Sequence, residues 1–184
     1  SSIAIGRNAM KSTAANGVTG QIAIGHYALS ALTSGDANFA IGYEAMKVHT
    51  TGNQNMAIGY GAMNDTDAGS TSLGSTDNIF MGYDAGGGTW ADAASNYNVA
   101  IGNYAMDSAL NGALYNMAMG YGSLGALTTG DANVSIGHVA GTNLTTGIKN
   151  TIMGVQAGDA MTINSYTTLI GYQAGSAINS TDAN

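Results

Sequence analysis

The sequence predicts an all-β protein, a parallel β-solenoid (β-roll) of about ten coils with 17 residues each. An Ile-Gly or Met-Gly dipeptide recurs ten times in the 184 residues, and five of the nine spacings are 17 residues. A unit this short cannot hold the helix pairs of α-solenoids, which need about 33 residues or more, but it suits one coil of a β-solenoid. The repeat glycines are Gly6, Gly25, Gly42, Gly59, Gly82, Gly102, Gly120, Gly137, Gly154 and Gly171.

Most copies carry a segment Asn-x-Ala-Ile-Gly or a close variant of it, such as Asn38–Gly42, which we predict to be a strand of about five residues. Apolar residues on both sides of the strand indicate burial on both faces, as in parallel sheets. A second short strand is expected after the glycine, as in Tyr43–Met46. A loop such as Leu32–Asn38 then closes the coil, because its Gly, Asp and Asn residues favour turns.

The interior of such a coil must be thin. Ala usually stands two residues before the repeat glycine, and it stands three residues after it in nine of the ten copies. Small side chains at these positions fit a thin core, but the Ile and Met residues beside them cannot enter the same space. We therefore expect another surface to cover them, most simply a second copy of the chain. Ten stacked coils would form a rod of about 48 Å.

Two further columns of residues repeat in register. Asn stands four residues before the glycine in seven copies, and stacked amides at one position are expected to hydrogen-bond up the rod. Tyr or His follows the glycine in seven copies, and these rings should form a ladder. The rings either cover a seam between chains with their hydroxyls in water, or form a platform on which sugar rings stack. The residues of the second column are His26, Tyr43, Tyr60, Tyr83, Tyr121, His138 and Tyr172.

The longest loops lie between Asn64 and Asp77 and between Gly86 and Tyr97. Loops of repeat arrays often protrude on one face and bind there, so these two are expected to form one lateral bulge. Trp90 and Tyr97 could stack on a sugar, while Asp92 and Asn96 could hydrogen-bond its hydroxyls. Trp90 has an alternative role, which is to tuck under its own loop.

The composition argues against several functions. There is no Cys, and 4 Lys and Arg against 11 Asp and Glu give a net charge of −7, which disfavours nucleic acids and anionic membranes as partners. No apolar run is long enough to span a bilayer. His26 and His138 are separated by five other coils and His49 lies in another column, so the three histidines cannot meet at a metal ion. Asp65 and Asp67 are the closest pair of carboxylates along the sequence, and we expect them to lie in a solvated loop. We therefore expect no metal site, no cofactor, no catalytic residues and no enzyme activity.

The repeated pattern Asn-x-Ala-Ile-Gly-x-x-Ala with Thr-Thr-Gly loops resembles the head repeats of YadA-like trimeric autotransporter adhesins. It is equally similar to related repeats in bacteriophage tail fibres. The resemblance covers essentially the whole chain and implies a left-handed β-roll, three copies side by side and a role in adhesion or receptor binding. The 17-residue unit and the insertion from Asn64 to Asp77 depart from adhesin heads and favour a phage-like fibre. The clearest copies are Asn38–Ala45, Asn55–Ala62, Asn98–Ala105, Asn116–Gly122 and Asn133–Ala140.

We therefore expect residues 1–184 to be a single domain and a segment of a longer extracellular fibre, on a cell surface or a virion. Its partners would be two further copies of the chain and a glycan or protein on a host surface. Asn184 falls where the Asn of an eleventh coil would begin. Two alternatives remain at this point. The chain could be a plain shaft without binding of its own, or an ice-binding solenoid, since Thr pairs recur at Thr33, Thr50, Thr128 and Thr145.

Overall fold

The computed structural model describes residues 1–12, 17–66 and 74–178. Within these residues the chain forms ten parallel strands in one sheet, in sequence order and without a helix, which confirms the predicted β-solenoid. We number each coil after its strand. The strands are β1 (Ile3–Ile5), β2 (Ile22–Ile24), β3 (Phe39–Ile41), β4 (Met56–Ile58), β5 (Ile79–Met81), β6 (Val99–Ile101), β7 (Met117–Met119), β8 (Val134–Ile136), β9 (Thr151–Met153) and β10 (Thr168–Ile170).

Equivalent residues of successive coils pair with each other along the whole sheet. Ile22 of β2 pairs with Phe39 of β3, and Phe39 pairs in turn with Met56 of β4. The insertions do not shift this register, because Met56 pairs with Ile79 across the longest connection. Each side-chain position therefore forms a continuous column along the rod.

The strands are shorter than predicted, with three residues instead of five, and the second strand predicted after the glycine is wrong. Two consecutive turns occupy that place. In coil 2 the N–H of Ala28 donates to the carbonyl of Gly25 at 3.4 Å, and the N–H of Ser30 donates to that of Tyr27 at 3.2 Å. The third residues of these turns, Tyr27 and Leu29, have φ of 60° and 49°. A positive φ there defines a type II turn and excludes a strand.

The turns also bind the neighbouring coils. The N–H of Tyr27 donates to the carbonyl of Arg7 in coil 1 at 3.0 Å, while the N–H of Leu29 donates to that of Ala45 in coil 3 at 3.1 Å. Backbone hydrogen bonds thus point alternately to the coil before and the coil after. The turns are therefore joined to the neighbouring coils by backbone hydrogen bonds, as the strands are in the sheet.

The repeat glycine is required where one backbone crosses directly over the next. Gly42 has a φ of 140°, and a Cβ atom on it would overlap the carbonyl oxygen of Gly59 in the following coil. No L-residue fits this conformation and this approach together. The glycine column is therefore a consequence of the distance between the coils.

The interior is lined by the predicted small side chains from the strand and also by larger ones from the turns, which the sequence analysis did not predict. Ala40 and Ala57, the middle residues of β3 and β4, are fully buried, as are Met46 and Met63 from the turns of the same coils. The first and third residues of each strand point to the other face of the sheet, where they are partly or largely exposed. The Ile and Met residues thus lie outside the core, as the sequence predicted.

Where the middle residue of the strand is large, the facing turn residue is Gly. Phe80 replaces Ala in β5, and a Cβ on Gly86 of the same coil would overlap its ring. Leu169 of β10 faces Gly175, where a Cβ would lie 2.6 Å from a Leu169 methyl carbon. Each coil encloses the same width, so a larger side chain on one wall requires a smaller one opposite.

The predicted asparagine ladder is present and fully buried. The backbone N–H and the Nδ2 group of Asn98 both donate to Oδ1 of Asn78, at 2.9 and 3.2 Å, and Nδ2 also donates to the carbonyl of Ala113 at 2.8 Å. Oδ1 of Asn98 in turn accepts from the N–H of Asn116 at 3.0 Å. Each amide thus satisfies the polar groups of two coils. The ladder consists of Asn38, Asn55, Asn78, Asn98, Asn116, Asn133 and Asn150.

Candidate functional site: an apolar sheet face between aromatic borders

The surface that distinguishes this solenoid is its outer face, which we define as the first and third residues of the ten strands. None of these 20 side chains is charged, and 18 of them are apolar, the others being Thr151 and Thr168. Met117 and Met119 are each 41% exposed. Exposed apolar patches beyond a few hundred Å² are uncommon on monomeric proteins and mark interaction sites.

One border of the outer face is a tyrosine ladder, two residues beyond the end of each strand. The predicted ladder is confirmed for coils 2–8, where neighbouring rings contact each other with centroids 4.9–5.5 Å apart. Tyr172 of coil 10 is not part of it, since Val155 stands at this position in coil 9. The charge of Glu44 is the main cause that raises the pKa of Tyr43 above its ordinary value. In order, the rings of the tyrosine ladder are His26, Tyr43, Tyr60, Tyr83, Tyr104, Tyr121 and His138.

The geometry of the tyrosine ladder decides what it can offer to a ligand. Tyr60 lies between Tyr43 and Tyr83, at 4.9 and 5.1 Å, and its ring is within 9° of parallel to both. Both faces of Tyr60 are therefore covered by neighbouring rings. What remains in solvent is the ring edge and the hydroxyl, since Tyr60 is 48% exposed. This favours rings that cover a seam and argues against a platform for sugar stacking in the middle of the ladder.

Tyr104 completes the ladder in coil 6, where Asn103 stands in place of the expected Tyr. Tyr104 follows one residue later and contacts Tyr83 at 5.4 Å and Tyr121 at 5.5 Å, with its ring tilted by 62° and 74° to theirs. Asn103 accepts a hydrogen bond from the N–H of Tyr83 at 3.0 Å. The substitution changes the ring orientation without interrupting the contacts.

The opposite border of the outer face carries a second aromatic contact that the sequence analysis only half identified. Tyr97, which was singled out, stacks on Tyr115 at 5.1 Å with planes 3° apart, and both rings are exposed. Tyr166 lies in the same column, with the Lys149 ammonium 5.2 Å from its ring centroid. Tyr115 was missed, although both Tyr97 and Tyr115 stand five residues before a repeat glycine.

Trp90 is not available as a surface anchor. Its side chain is fully buried, Nε1 donates to the carbonyl of Gly86 at 3.0 Å, and its ring lies 5.6 Å from that of Phe80. The proposed role against a sugar is therefore wrong, and the alternative, in which Trp90 tucks under its own loop, is confirmed. The ring fills the interior of a coil that is three residues longer than the basic unit.

Residues 86–97 belong to the coil wall and do not protrude as the predicted bulge. The N–H of Ala91 donates to the carbonyl of Leu110 at 3.0 Å, and the N–H of Gly112 donates to that of Ala93 at 3.1 Å. Oδ1 of Asn96 accepts from the N–H of Thr76 at 2.7 Å, so this oxygen is already bound, whereas Asp92 is exposed. Residues 67–73 of the other insertion, including Asp67, lie outside the described residues.

The histidines have structural roles. His26 and His138 are rungs of the tyrosine ladder, as predicted, but His49 is fully buried, which the sequence analysis did not anticipate. Nδ1 of His49 lies 2.9 Å from the Thr66 hydroxyl, and Nε2 lies 3.3 Å from the Nδ2 group of Asn55. Within the described ranges no three His, Asp or Glu side chains come together to hold a metal ion.

The threonine pairs are largely committed to the backbone. The hydroxyls of Thr33, Thr128 and Thr145 each donate to a carbonyl of the next coil, at 2.9–3.1 Å. The outer face presents only apolar side chains, Ile, Val, Met and Phe39, in eight of its ten coils. A regular threonine array of the kind that suits ice is therefore not what this sheet displays.

Comparisons with protein-family models, curated protein sequences and solved structures found no match for this chain. In the part of the chain that the structure describes, no helix has the length and apolar character needed to cross a membrane.

An acidic pair beside the turns gives the fold a pH dependence. Burial, and secondly the nearby charge of Asp84, raise the pKa of Asp107 to about 6. Burial also raises the pKa of Asp84, and a hydrogen bond from Tyr83 opposes that shift. Because a raised carboxyl pKa favours the protonated form in the folded state, the contribution of Asp107 to stability is present below its unfolded pKa of about 3.9 and is lost as the pH rises through about 6.

We expect Asp107→Asn to raise the free energy of unfolding at pH 7.5 by about 1 kcal/mol, since the half-exposed carboxyl is partly screened by solvent. At pH 4 the variant and the wild type should be nearly equal. Urea unfolding at the two pH values, at equal protein concentration, measures this difference. Asp92→Asn, at an exposed carboxyl, serves as the control. An Asp107→Asn variant that keeps the wild-type pH dependence would contradict the assignment.

Proposed function

We propose that this chain is a structural segment of an extracellular fibre, in which three copies pack side by side through their outer faces. The observation that carries the proposal is the uncharged outer face, which an isolated chain leaves in water along its whole length. Burial of one Ile or Met side chain contributes about 1.5–3 kcal/mol. Repetition over ten coils therefore gives a strong drive towards association.

The dimensions of the outer face suit a partner of the same kind. Ten strands about 4.8 Å apart give the outer face a length of roughly 43 Å. All copies present the same columns at the same spacing, so coils of neighbouring copies can pack against each other in register along the whole rod. Three copies and a left-handed coil are what the resemblance to trimeric fibres implies.

In such an assembly the tyrosine ladder would lie at the rim of the interface, exposed to solvent. We propose that it is the surface that adheres to the host, and we call it the adhesive strip. It presents phenol edges and hydroxyls about 5 Å apart, able to donate and accept hydrogen bonds from a glycan or a protein on a host surface. Each contact is weak and shallow. Three chains per fibre would multiply these contacts by avidity.

Sedimentation of the purified chain tests the assembly. The wild type should have a mass of about 55 kDa, three times 18.4 kDa. The variant with Ile41→Asp, Ile58→Asp and Ile136→Asp should lose it, because three charges per chain would have to be buried in the interface. Ile163→Asp, which changes an isoleucine that is 54% exposed outside the outer face, should keep it.

Two results would contradict the proposed assembly. One is a wild-type chain that keeps the monomer mass of 18.4 kDa even when the sedimentation experiment is repeated at much higher protein concentration. The other is a triple Asp variant that still sediments at the wild-type mass.

The adhesive strip is tested by replacing Tyr43, Tyr60 and Tyr83 with Phe, which keeps the stacked rings and removes the hydroxyls. We expect retention on host cells or on a glycan array to fall by roughly tenfold or more, because losses at each rung multiply. The mass and the thermal midpoint should stay at their wild-type values. Unchanged retention would instead indicate a plain shaft.

A further inference from the structure

We propose that Met117, Met119 and Met153, the three most exposed methionines of the outer face, are oxidation sites at which hydrogen peroxide disassembles the fibre segment without unfolding its coils. The proposal rests on the side-by-side association proposed above and adds a chemical control of that same surface. It starts from the way in which the ten methionines divide between the two faces of the sheet.

Five methionines lie on the outer face, four lie in the core, and the tenth, Met10, is partly buried and packs against the core. Of the outer group, Met117, Met119 and Met153 are exposed by 37–41%, and the other two are partly exposed. The core group is fully buried. The outer methionines are Met56, Met81, Met117, Met119 and Met153, and the buried ones are Met46, Met63, Met106 and Met161.

The exposed sulfurs are concentrated in one part of the rod. Met117 and Met119 are the two outward residues of β7, and exposed Tyr115 and Tyr121 flank them on the same coil. Met153 lies two strands further on, in β9. Coils 7–9 therefore carry all three of the most accessible methionines. A partner copy that covers the outer face must cover these sulfurs.

The reaction is a two-electron oxidation of each thioether. The sulfur lone pair attacks one peroxide oxygen, the O–O bond breaks, and after proton transfer the other oxygen leaves as water. The sulfur is oxidised to a sulfoxide, and the peroxide is reduced. The product is polar and chiral, and its S–O group is a strong hydrogen-bond acceptor.

A sulfoxide on an outer-face methionine should weaken the association of the copies without destabilising the fold of each chain. The outer face holds 18 apolar side chains and two threonines, so a buried S–O group would find almost no donor there. In a free chain the same group lies in water and costs nothing. The buried methionines, which fill the core beside Ala40 and Ala57, are shielded from peroxide as long as the coils remain stacked. Oxidation should therefore separate the copies and leave each solenoid intact.

The experiment compares wild-type protein with the variant Met117→Leu, Met119→Leu and Met153→Leu, which keeps apolar side chains and removes the most exposed sulfurs. Both are treated with hydrogen peroxide and followed by peptide mass spectrometry and sedimentation. In the assembled protein a partner copy covers these sulfurs, so peroxide reaches them when copies transiently separate, a step that requires no unfolding of the coils. We therefore expect the three outer methionines to take up oxygen about tenfold faster than the four core methionines, which unfolding alone exposes. The wild type should then fall from about 55 to 18.4 kDa with its circular dichroism unchanged, while the variant stays assembled.

The possible outcomes separate the two proposals. If the wild type has a mass of 18.4 kDa before peroxide is added, the proposed association is wrong, and with it the disassembly by peroxide. The order in which the methionines take up oxygen then still tests whether the outer ones are the oxidation sites. An assembled wild type that keeps its mass after Met117, Met119 and Met153 are fully oxidised overturns the control by peroxide. Oxidation of Met46 or Met63 before the outer group also overturns it, because the fold would then not protect the core.

Discussion

The direct stacking of one coil's backbone on the next is the constraint on which the rest of this structure depends. Each coil contacts only its two neighbours, and at Gly42 and Gly59 the backbones are so close that a Cβ would overlap a carbonyl oxygen. A solenoid is held together by such nearest-neighbour contacts. Every position must therefore repeat in register, and one misplaced residue would affect two interfaces. The asparagine ladder meets the same constraint for polar groups, because each amide bonds to the coil on either side.

The thin interior determines which face can interact with other molecules. Ala residues on the strand and Leu or Met residues in the turns fill the interior of the coil. The larger ring of Phe80 fits there because Gly86, which faces it, has no side chain. Each chain thus closes its own core, and the Ile and Met residues on the other side of the same three-residue strands are left outside. Those residues, with the aromatic columns beside them, are the part of the molecule on which the proposed association, adhesion and oxidation all depend.

The sequence predicted the features that follow from periodicity. The repeat glycine, the asparagine ladder, the outward Ile and Met residues and the stacked tyrosines could all be derived from spacing, because a column in the sequence is a column in a solenoid. The second strand was predicted wrongly, because residues such as Tyr27 and Leu29 adopt a positive φ. The sequence has no glycine at these positions to indicate a turn. Stacking contacts with the coils on either side stabilise that conformation in place of an intrinsic preference.

Features that depend on contacts between unlike positions could not be predicted. Trp90 is buried because Phe80 and the longer coil create space for it, and His49 is buried because Thr66 and Asn55 supply its polar partners. Neither arrangement repeats along the chain, so no column reveals it. The insertion at residues 86–97 had the length of a protruding loop, yet its backbone pairs with the following coil.

Hydrogen exchange of the asparagine-ladder amides tests the stacking account most directly. The backbone N–H groups of Asn78, Asn98 and Asn116 lie outside the strands, and each donates to the side-chain oxygen of the preceding coil's asparagine at 2.9–3.1 Å. If these ladder bonds hold the coils together, the three amides should exchange as slowly as the strand amide of Val99, in the global-unfolding regime. Exchange at the rate of an exposed loop amide such as that of Asp92 would contradict the account.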